Sequence, residues 1–137
     1  TMSVILVATV DTEYLSILSN PIEALGHTPL PLRGTENVVE DVTLNDVELV
    51  LVAPDLLPFS GWETCEILRE DPTVPAELPI LLLIDGKGDV RRIEKTGFSG
   101  TLSPALSAAE LSEEIVRQLG ENAAPADFDP VTGQRVE

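Results

Sequence analysis

Five times before residue 120 a short apolar run gives way to a segment with helical spacing, and this alternation leaves the chain few architectures. The runs are Ser3–Ala8, His27–Leu32, Glu48–Ala53, Leu78–Ile84 and Phe98–Leu102. Continuous apolar strands need cover on both faces, and strand–helix alternation calls for a parallel sheet joined by right-handed crossovers. The expected fold is α/β: a single doubly wound, five-stranded parallel sheet with helices on both faces.

The helical segments carry their own boundary signals. Thr12–Leu25 places Tyr14, Leu15, Leu18, Ile22 and Leu25 near helical spacing, and Gly26 closes it. Pro21 is expected to kink this helix or to restart it with Asn20 as a new cap. Thr35–Leu44 is a short, poorly patterned helix. Ser60–Glu70 and Ser107–Leu119 each open with a capping box, Ser60 with Glu63 and Ser107 with Glu110. Lys87–Lys95 is a short helix between them. Beyond Gly120 the chain is rich in Ala, Pro and Asp and lacks periodicity, so residues 1–120 read as one domain and 121–137 as a flexible tail or linker.

Charge narrows the partners. Twenty-four acidic and eight basic side chains in 137 residues give a formal net charge of −16. Such a field repels phosphate backbones and anionic lipid heads, so neither nucleic acid nor a membrane surface is expected as a partner. It also aids solubility, and it suits a saline habitat. No apolar run approaches the roughly 20 residues of a transmembrane helix, and "TMSVILVA" has no basic stretch ahead of it, so the start reads as a strand, with Thr1 as a cloning remnant. The single cysteine, Cys65, can form no internal disulfide, and with His27 alone it makes no zinc cluster. A cytoplasmic location, no cofactor and no enzymatic activity are the expectations.

Several stretches in order resemble the receiver domain of two-component response regulators. "VELVLVAPDLLPFSGWETCEILREDP" is similar to that family's strand–loop–helix segment with its Pro, Gly and Leu-Arg landmarks, and "LPILLLI" to its fourth strand. "GFSGTLSP" resembles the Gly-x-x-x-Tyr-Leu-x-Lys-Pro stretch, and "SAAEL" the start of the last helix. The resemblance covers roughly residues 3–120. It implies a flavodoxin-like sheet of order 2-1-3-4-5 and phosphoryl transfer from a histidine kinase to an aspartate that ends the third strand. Carboxylates would hold the Mg²⁺ that neutralises acceptor and phosphoryl group.

At each family site this chain differs. Counting back from Gly61 puts Ala53 in the acceptor slot, and aligning on Pro58 puts Pro54 there. The acidic pair falls on Thr9 and Val10, the Thr/Ser position on Ile84, the Lys position on Ser103 and the aromatic switch on Thr101. These substitutions imply a pseudo-receiver: a phosphorylation-independent interaction module acting on protein partners, or on itself as a homodimer, through the last two helices and last strand. Two alternatives stand beside it. One is a small-molecule or ion sensor built on the altered pocket, with Asp11, Asp55 and Asp85 as a relocated metal set. The other is a receiver phosphorylated on Asp55.

Asp11, preceding "TEY", also reads as a helix cap. "KGDVRRIEK" holds half of the basic residues; Lys87, Arg91, Arg92 and Lys95 fall within an arc of about 140°, with Val90 and Ile93 opposite, and form the candidate partner-binding face with Thr101. Charge reversal at Arg91 and Arg92 is expected to leave the melting temperature unchanged. "DGKGD" lacks P-loop spacing and reads as a turn. Trp62 and Cys65 read as packing residues, and His27 has no catalytic partner in the sequence. Ser103-Pro104 replaces the family's Lys-Pro, and a cis bond is expected there. "DFDPVTGQ" faintly resembles the opening of diguanylate cyclase domains, which would make the chain the front part of a longer protein.

Overall fold

The computed structural model describes residues 2–32, 34–85 and 88–120, and through them strands and helices alternate. The order is β1 (Val4–Ala8), α1 (Thr12–Ala24), β2 (Thr28–Leu32), α2 (Val38–Leu44), β3 (Val47–Val52), α3 (Gly61–Glu70), β4 (Ile80–Leu83), α4 (Val90–Thr96), β5 (Gly100–Leu102) and α5 (Ala108–Gln118). The strands form a parallel sheet in the order β2-β1-β3-β4-β5, as the sequence predicts.

Side-chain alternation along the strands divides the core in two. Leu6, Ala8, Val50, Val52, Ile80 and Leu82 face α2, α3 and α4. Ile5, Val7, Leu49, Leu51, Leu81 and Leu83 face α1 and α5, meeting Leu18, Ile22, Leu111 and Ile115. Both faces of the interior strands are therefore dry, which is why their sequences are apolar without interruption.

The proline-marked β2 lies at an edge. Thr28 N donates to Ser3 O at 2.9 Å, so Pro29 and Pro31, one residue out of phase, present their missing N–H groups to the open side. Prolines there cost no ladder bond and block the addition of another strand.

Pro21 does not restart α1: one helix runs from Thr12 to Ala24 with Pro21 buried. The carbonyl that loses its partner is that of Ile17, an exposed position where water can take it. Asp11 is the N-cap, its Oδ1 accepting from Glu13 N (3.0 Å) and Tyr14 N (3.1 Å). Both capping boxes form. α2 begins at Val38 rather than Thr35 because the Thr35 hydroxyl is engaged elsewhere, as described below. β5 begins at Gly100, because Phe98 turns into the core against Trp62 of α3 (ring centroids 5.4 Å apart, edge to face).

Arg69, near the end of α3, ties the far side of the domain together. Its Nε donates to Gly97 O (2.8 Å), Nη1 to Ala76 O (3.2 Å) and Nη2 to Ser99 Oγ (3.3 Å). Ser99 Oγ in turn accepts from Ile80 N at 3.0 Å. Gly97 closes α4 in the left-handed region at φ 113°, and a Cβ there would sit 2.8 Å from Arg69 Cγ. No helix among the described residues is long and apolar enough to cross a membrane. The cyclase-like stretch, and the tail as a whole, lie outside the described residues.

Candidate functional site

The carboxyl ends of β1, β3 and β4 and the loops that follow them bound a cleft of about 650 Å³. Open α/β sheets place their sites at this edge. The geometry brings four of the sequence-predicted positions, Thr9, Val10, Ala53 and Ile84, into its lining, with Ser103 beside it through Pro104.

Ala53 follows β3 directly; its N–H donates to Ala8 O at 2.9 Å, so the residue sits level with the end of β1. Its place in space is set from the opposite side by Gly61. A Cβ on Gly61 would meet Ala53 O at 2.2 Å, and Gly61 N donates to Pro54 O at 2.9 Å. Only glycine allows the first turn of α3 to close on the strand end in this way. Thr9 is buried, and its Oγ1 accepts from Asp11 N at 3.2 Å. Val10 is 60% exposed, and Ile84 is half-buried. Ser103 Oγ donates to Asp85 Oδ1 (3.0 Å) and accepts from Ala105 N (3.1 Å).

The loop from β3 to α3 is held by a residue that sequence reasoning missed. Thr35, 1% exposed, donates from Oγ1 to Phe59 O (3.0 Å) and accepts from Phe59 N (2.8 Å), while its own N–H donates to Leu57 O (3.2 Å). Leu57-Pro58 within this loop is the cis peptide bond of the described residues; Ser103-Pro104, where one was expected, is trans. Nothing local in the sequence pairs Thr35 with a loop 24 positions away.

Asp11, Asp55 and Asp85 all line the cleft. Among the described residues, however, no three carboxylate, imidazole or thiol groups stand close enough together to hold a metal ion. Asp11 spends one oxygen on the α1 cap and Asp85 one on Ser103. Two of the three carboxylates of the expected metal set thus already serve local structure. One more polar group lies here: Tyr14 lines the cleft, and its hydroxyl oxygen is buried without a hydrogen-bond partner. Loss of hydration pushes its pKa up to about 12.

On α4, Arg91 and Lys95 are exposed, and Thr101 is exposed on the edge strand β5. Lys87 lies outside the described residues. Arg92 is also exposed, yet its guanidinium stacks 3.9 Å from the centre of the Trp62 ring, so it braces α4 against α3. Its reversal, unlike that of Arg91, is therefore expected to cost stability. Val90, expected opposite the basic arc, is 57% exposed: it is the first residue of α4, and Ile93 alone makes the buried contact. Asp89 caps the helix by accepting from Arg92 N at 3.2 Å, which accounts for the turn-like "DGKGD". Cys65 is buried, its Sγ 3.8 Å from Thr96 O, and burial pushes its thiol up to about 11. His27 is a structural acceptor, its Nδ1 receiving Ser3 N at 3.0 Å.

No protein-family model matches the sequence, and no curated protein matches it. Solved structures are similar in fold. The chemotaxis response regulator CheY4 of Vibrio cholerae superposes with a TM-score of 0.76 at 14% identity, over 86% of this chain and 99% of that one. The receiver domain of a sensor histidine kinase from Pseudomonas aeruginosa, crystallised with a magnesium ion in its active-site cleft, gives 0.75 at 17% identity over 88% and 99%. The signal receiver domain of a signal transduction histidine kinase from Syntrophus aciditrophicus gives 0.75 at 18% identity, over 93% and 98%. At these identities the likeness is one of fold: this chain has a receiver-like fold.

Proposed function

We propose that the chain is a non-enzymatic docking module of a two-component-type pathway that works without being phosphorylated. The observation that carries this reading is the content of the strand-end cleft. Thr9, Val10, Ala53, Ile84 and Ser103 occupy or adjoin one site, and none of them offers a carboxylate to accept a phosphoryl group or an ammonium to hold one. Phosphoryl transfer is mostly charge neutralisation and positioning; the carboxylates that line the cleft, Asp11, Asp55 and Asp85, stand outside those five positions, and no ammonium is among the described lining residues.

Partner engagement is assigned to the side formed by α4, β5 and α5. Arg91, Lys95 and Thr101 are exposed there, and in a chain of net charge −16 an exposed basic helix selects an acidic partner surface. A second copy of the chain is such a surface. The bracing of α3 to α4 by Arg69, by Arg92 on Trp62 and by Trp62 on Phe98 favours a module held in one conformation.

Incubation with acetyl phosphate and Mg²⁺, read by intact-mass spectrometry, tests the first half; the mass is expected to stay unchanged. A gain of one phosphate, mapped to Asp55, would overturn it. The second half is tested by reversing Arg91 and Lys95 together, sparing Arg92. Capture of protein partners and self-association are expected to be lost with the melting temperature unchanged, and retained association would remove this face.

A further inference from the structure

We propose that a second copy of this chain docks head to tail, seating its α4 on the groove between α2, α3 and the β3–α3 loop. The inference rests on the reading of α4 as the docking face and adds which surface receives it. Most of the described arginines and lysines are already engaged. Arg69 is bonded to the backbone at Ala76 and Gly97, Arg92 lies on Trp62, and Arg117 pairs with Glu114. Among the described residues, Arg91 and Lys95 are left without a hydrogen bond, ion pair or ring contact. They stand one turn apart on the side of α4 opposite the buried Ile93, with Val90 and Glu94 on one flank. Val90 is exposed, so this side presents two free cations beside an apolar knob.

The α2 side is the complement. A groove of about 330 Å³ is lined by Val38, Val39, Phe59 and Ile67, with Glu36 and Glu40 among its walls. Leu44, which ends α2, and Leu57, beside the turn that leads into it, are the two most exposed large apolar side chains of the described residues. Leu57 is no loose tip. Its carbonyl accepts from Thr35 N, and the Thr35 hydroxyl holds Phe59, so the loop is ordered before a partner arrives. The carboxylates of Glu36, Glu40 and Asp41 make no hydrogen bond or ion pair with the described residues. Partial burial, and then the charges of Glu40 and Glu36, push the Asp41 carboxyl above its usual value, as expected of acids crowded together. Arg33 lies outside the described residues, and one cation there still leaves three carboxylates in excess of it. The strand-end cleft also carries acids, but Asp11 and Asp85 already serve a helix cap and Ser103.

Placement in the fold makes the contact intermolecular. α2, α3 and α4 share one face of the sheet, with α3 touching both of the others, so α2 lies towards the β2 edge and α4 towards the β5 edge. A chain cannot lay its own α4 on its own α2, but the next copy can. Charge complementarity selects which surfaces meet, and apolar side chains at their centre exclude water. Because the two surfaces are unlike, the contact repeats in one direction instead of closing a two-fold dimer. The net charge of −16 opposes gathering and keeps the association weak. At physiological salt that repulsion is screened beyond about 8 Å, while charges in contact are screened much less.

Analytical ultracentrifugation and ¹⁵N-resolved NMR of the whole chain, taken up to about 1 mM, test this. Wild type is expected to self-associate with a dissociation constant of about 0.1–1 mM, moving the amides of residues 35–44 and 90–95 together. Glu36→Lys with Glu40→Lys is expected to weaken association at least about tenfold. That variant is less acidic than wild type, so net repulsion alone predicts the opposite change. Leu57→Ser is expected to weaken association with the melting temperature unchanged, since the side chain is exposed. Mixing the Glu36/Glu40 variant with Arg91→Glu, Lys95→Glu is expected to restore association, because each face of one then meets its opposite on the other. No wild-type association up to about 1 mM overturns the inference and leaves α4 to a foreign partner. Undiminished association in the Glu36/Glu40 variant also overturns it, and α4 keeps its docking role if reversing Arg91 and Lys95 still abolishes association. Association that survives the α4 reversal overturns both readings. Unchanged association in Leu57→Ser removes that residue from the contact.

Discussion

Replacing Thr35 by Val keeps the shape of a side chain that is 1% exposed and removes its hydroxyl, thereby testing what holds the β3–α3 loop. Two hydrogen bonds vanish, Oγ1 to Phe59 O at 3.0 Å and Phe59 N to Oγ1 at 2.8 Å; the bond from Thr35 N to Leu57 O survives. At a net of about 1 kcal/mol each, the loss is about 2 kcal/mol. Phe59 is 38% exposed, so water can reach its freed groups and the larger penalty of a sealed, unpaired amide does not apply. Thr35→Ser is the control. It keeps both bonds, gives up one methyl group and should cost about 1 kcal/mol. Urea unfolding gives the two free energies, and hydrogen exchange at the Phe59 amide separates the causes. Protection there should collapse in Thr35→Val and persist in Thr35→Ser. If both variants lose the same stability and both keep Phe59 protected, the clamp does not hold the loop and the reasoning fails.

Three further outcomes follow from the same geometry. His27 is buried, and burial lowers its pKa, while Nδ1 must stay deprotonated to accept Ser3 N; the unfolded chain therefore binds the proton more readily, so His27 contributes stability that is complete above its unfolded pKa of about 6.5 and is lost as the pH falls below it. The urea midpoint difference between wild type and His27→Gln should shrink from pH 7.5 to about 5.5, and a constant difference would contradict this. Arg92→Gln should cost about 0.5–1 kcal/mol and shift the fluorescence of Trp62, the sole tryptophan, whereas Arg91→Gln should do neither. Gly61→Ala, whose Cβ would lie 2.2 Å from the backbone oxygen of Ala53, should cost about 3 kcal/mol in thermal or urea unfolding; a loss under 1 kcal/mol would show that α3 slides away freely.

What the sequence made legible was local. Both capping boxes and the Asp11 cap are written within four residues, and the alternation of apolar runs with helical segments is enough for the sheet and its two cores. What it hid depends on partners far along the chain. Thr35 looked like the start of a helix because its true partner is 24 positions away. Arg92 looked like one of four equivalent cations, because Trp62 lies on another helix. The restart expected at Pro21 does not occur, because propensity counts the lost bond and not the exposed carbonyl that loses it. The expected β4 and β5 began two residues early, because Leu78 and Phe98 pack into the core from the loops ahead of those strands. At the cleft, the positions were legible through their place after each strand, but the unpartnered hydroxyl of Tyr14 was not, since its spacing reads only as a core contact.

The contact between Gly61 and the carbonyl of Ala53 has a consequence for redesign. Backbone position at the sheet edge is fixed by an absent side chain on α3, by a hydroxyl on the β2–α2 turn and by backbone bonds such as that from Ala53 N to Ala8 O, while the side chains of Val10, Ala53 and Ile84 contribute no hydrogen bond to it. Reactivity and architecture are thus carried by separate residues. The strand ends act as a socket with exchangeable pins, and carboxylates or ammonium groups can be installed there as a set without asking the scaffold to find a new shape.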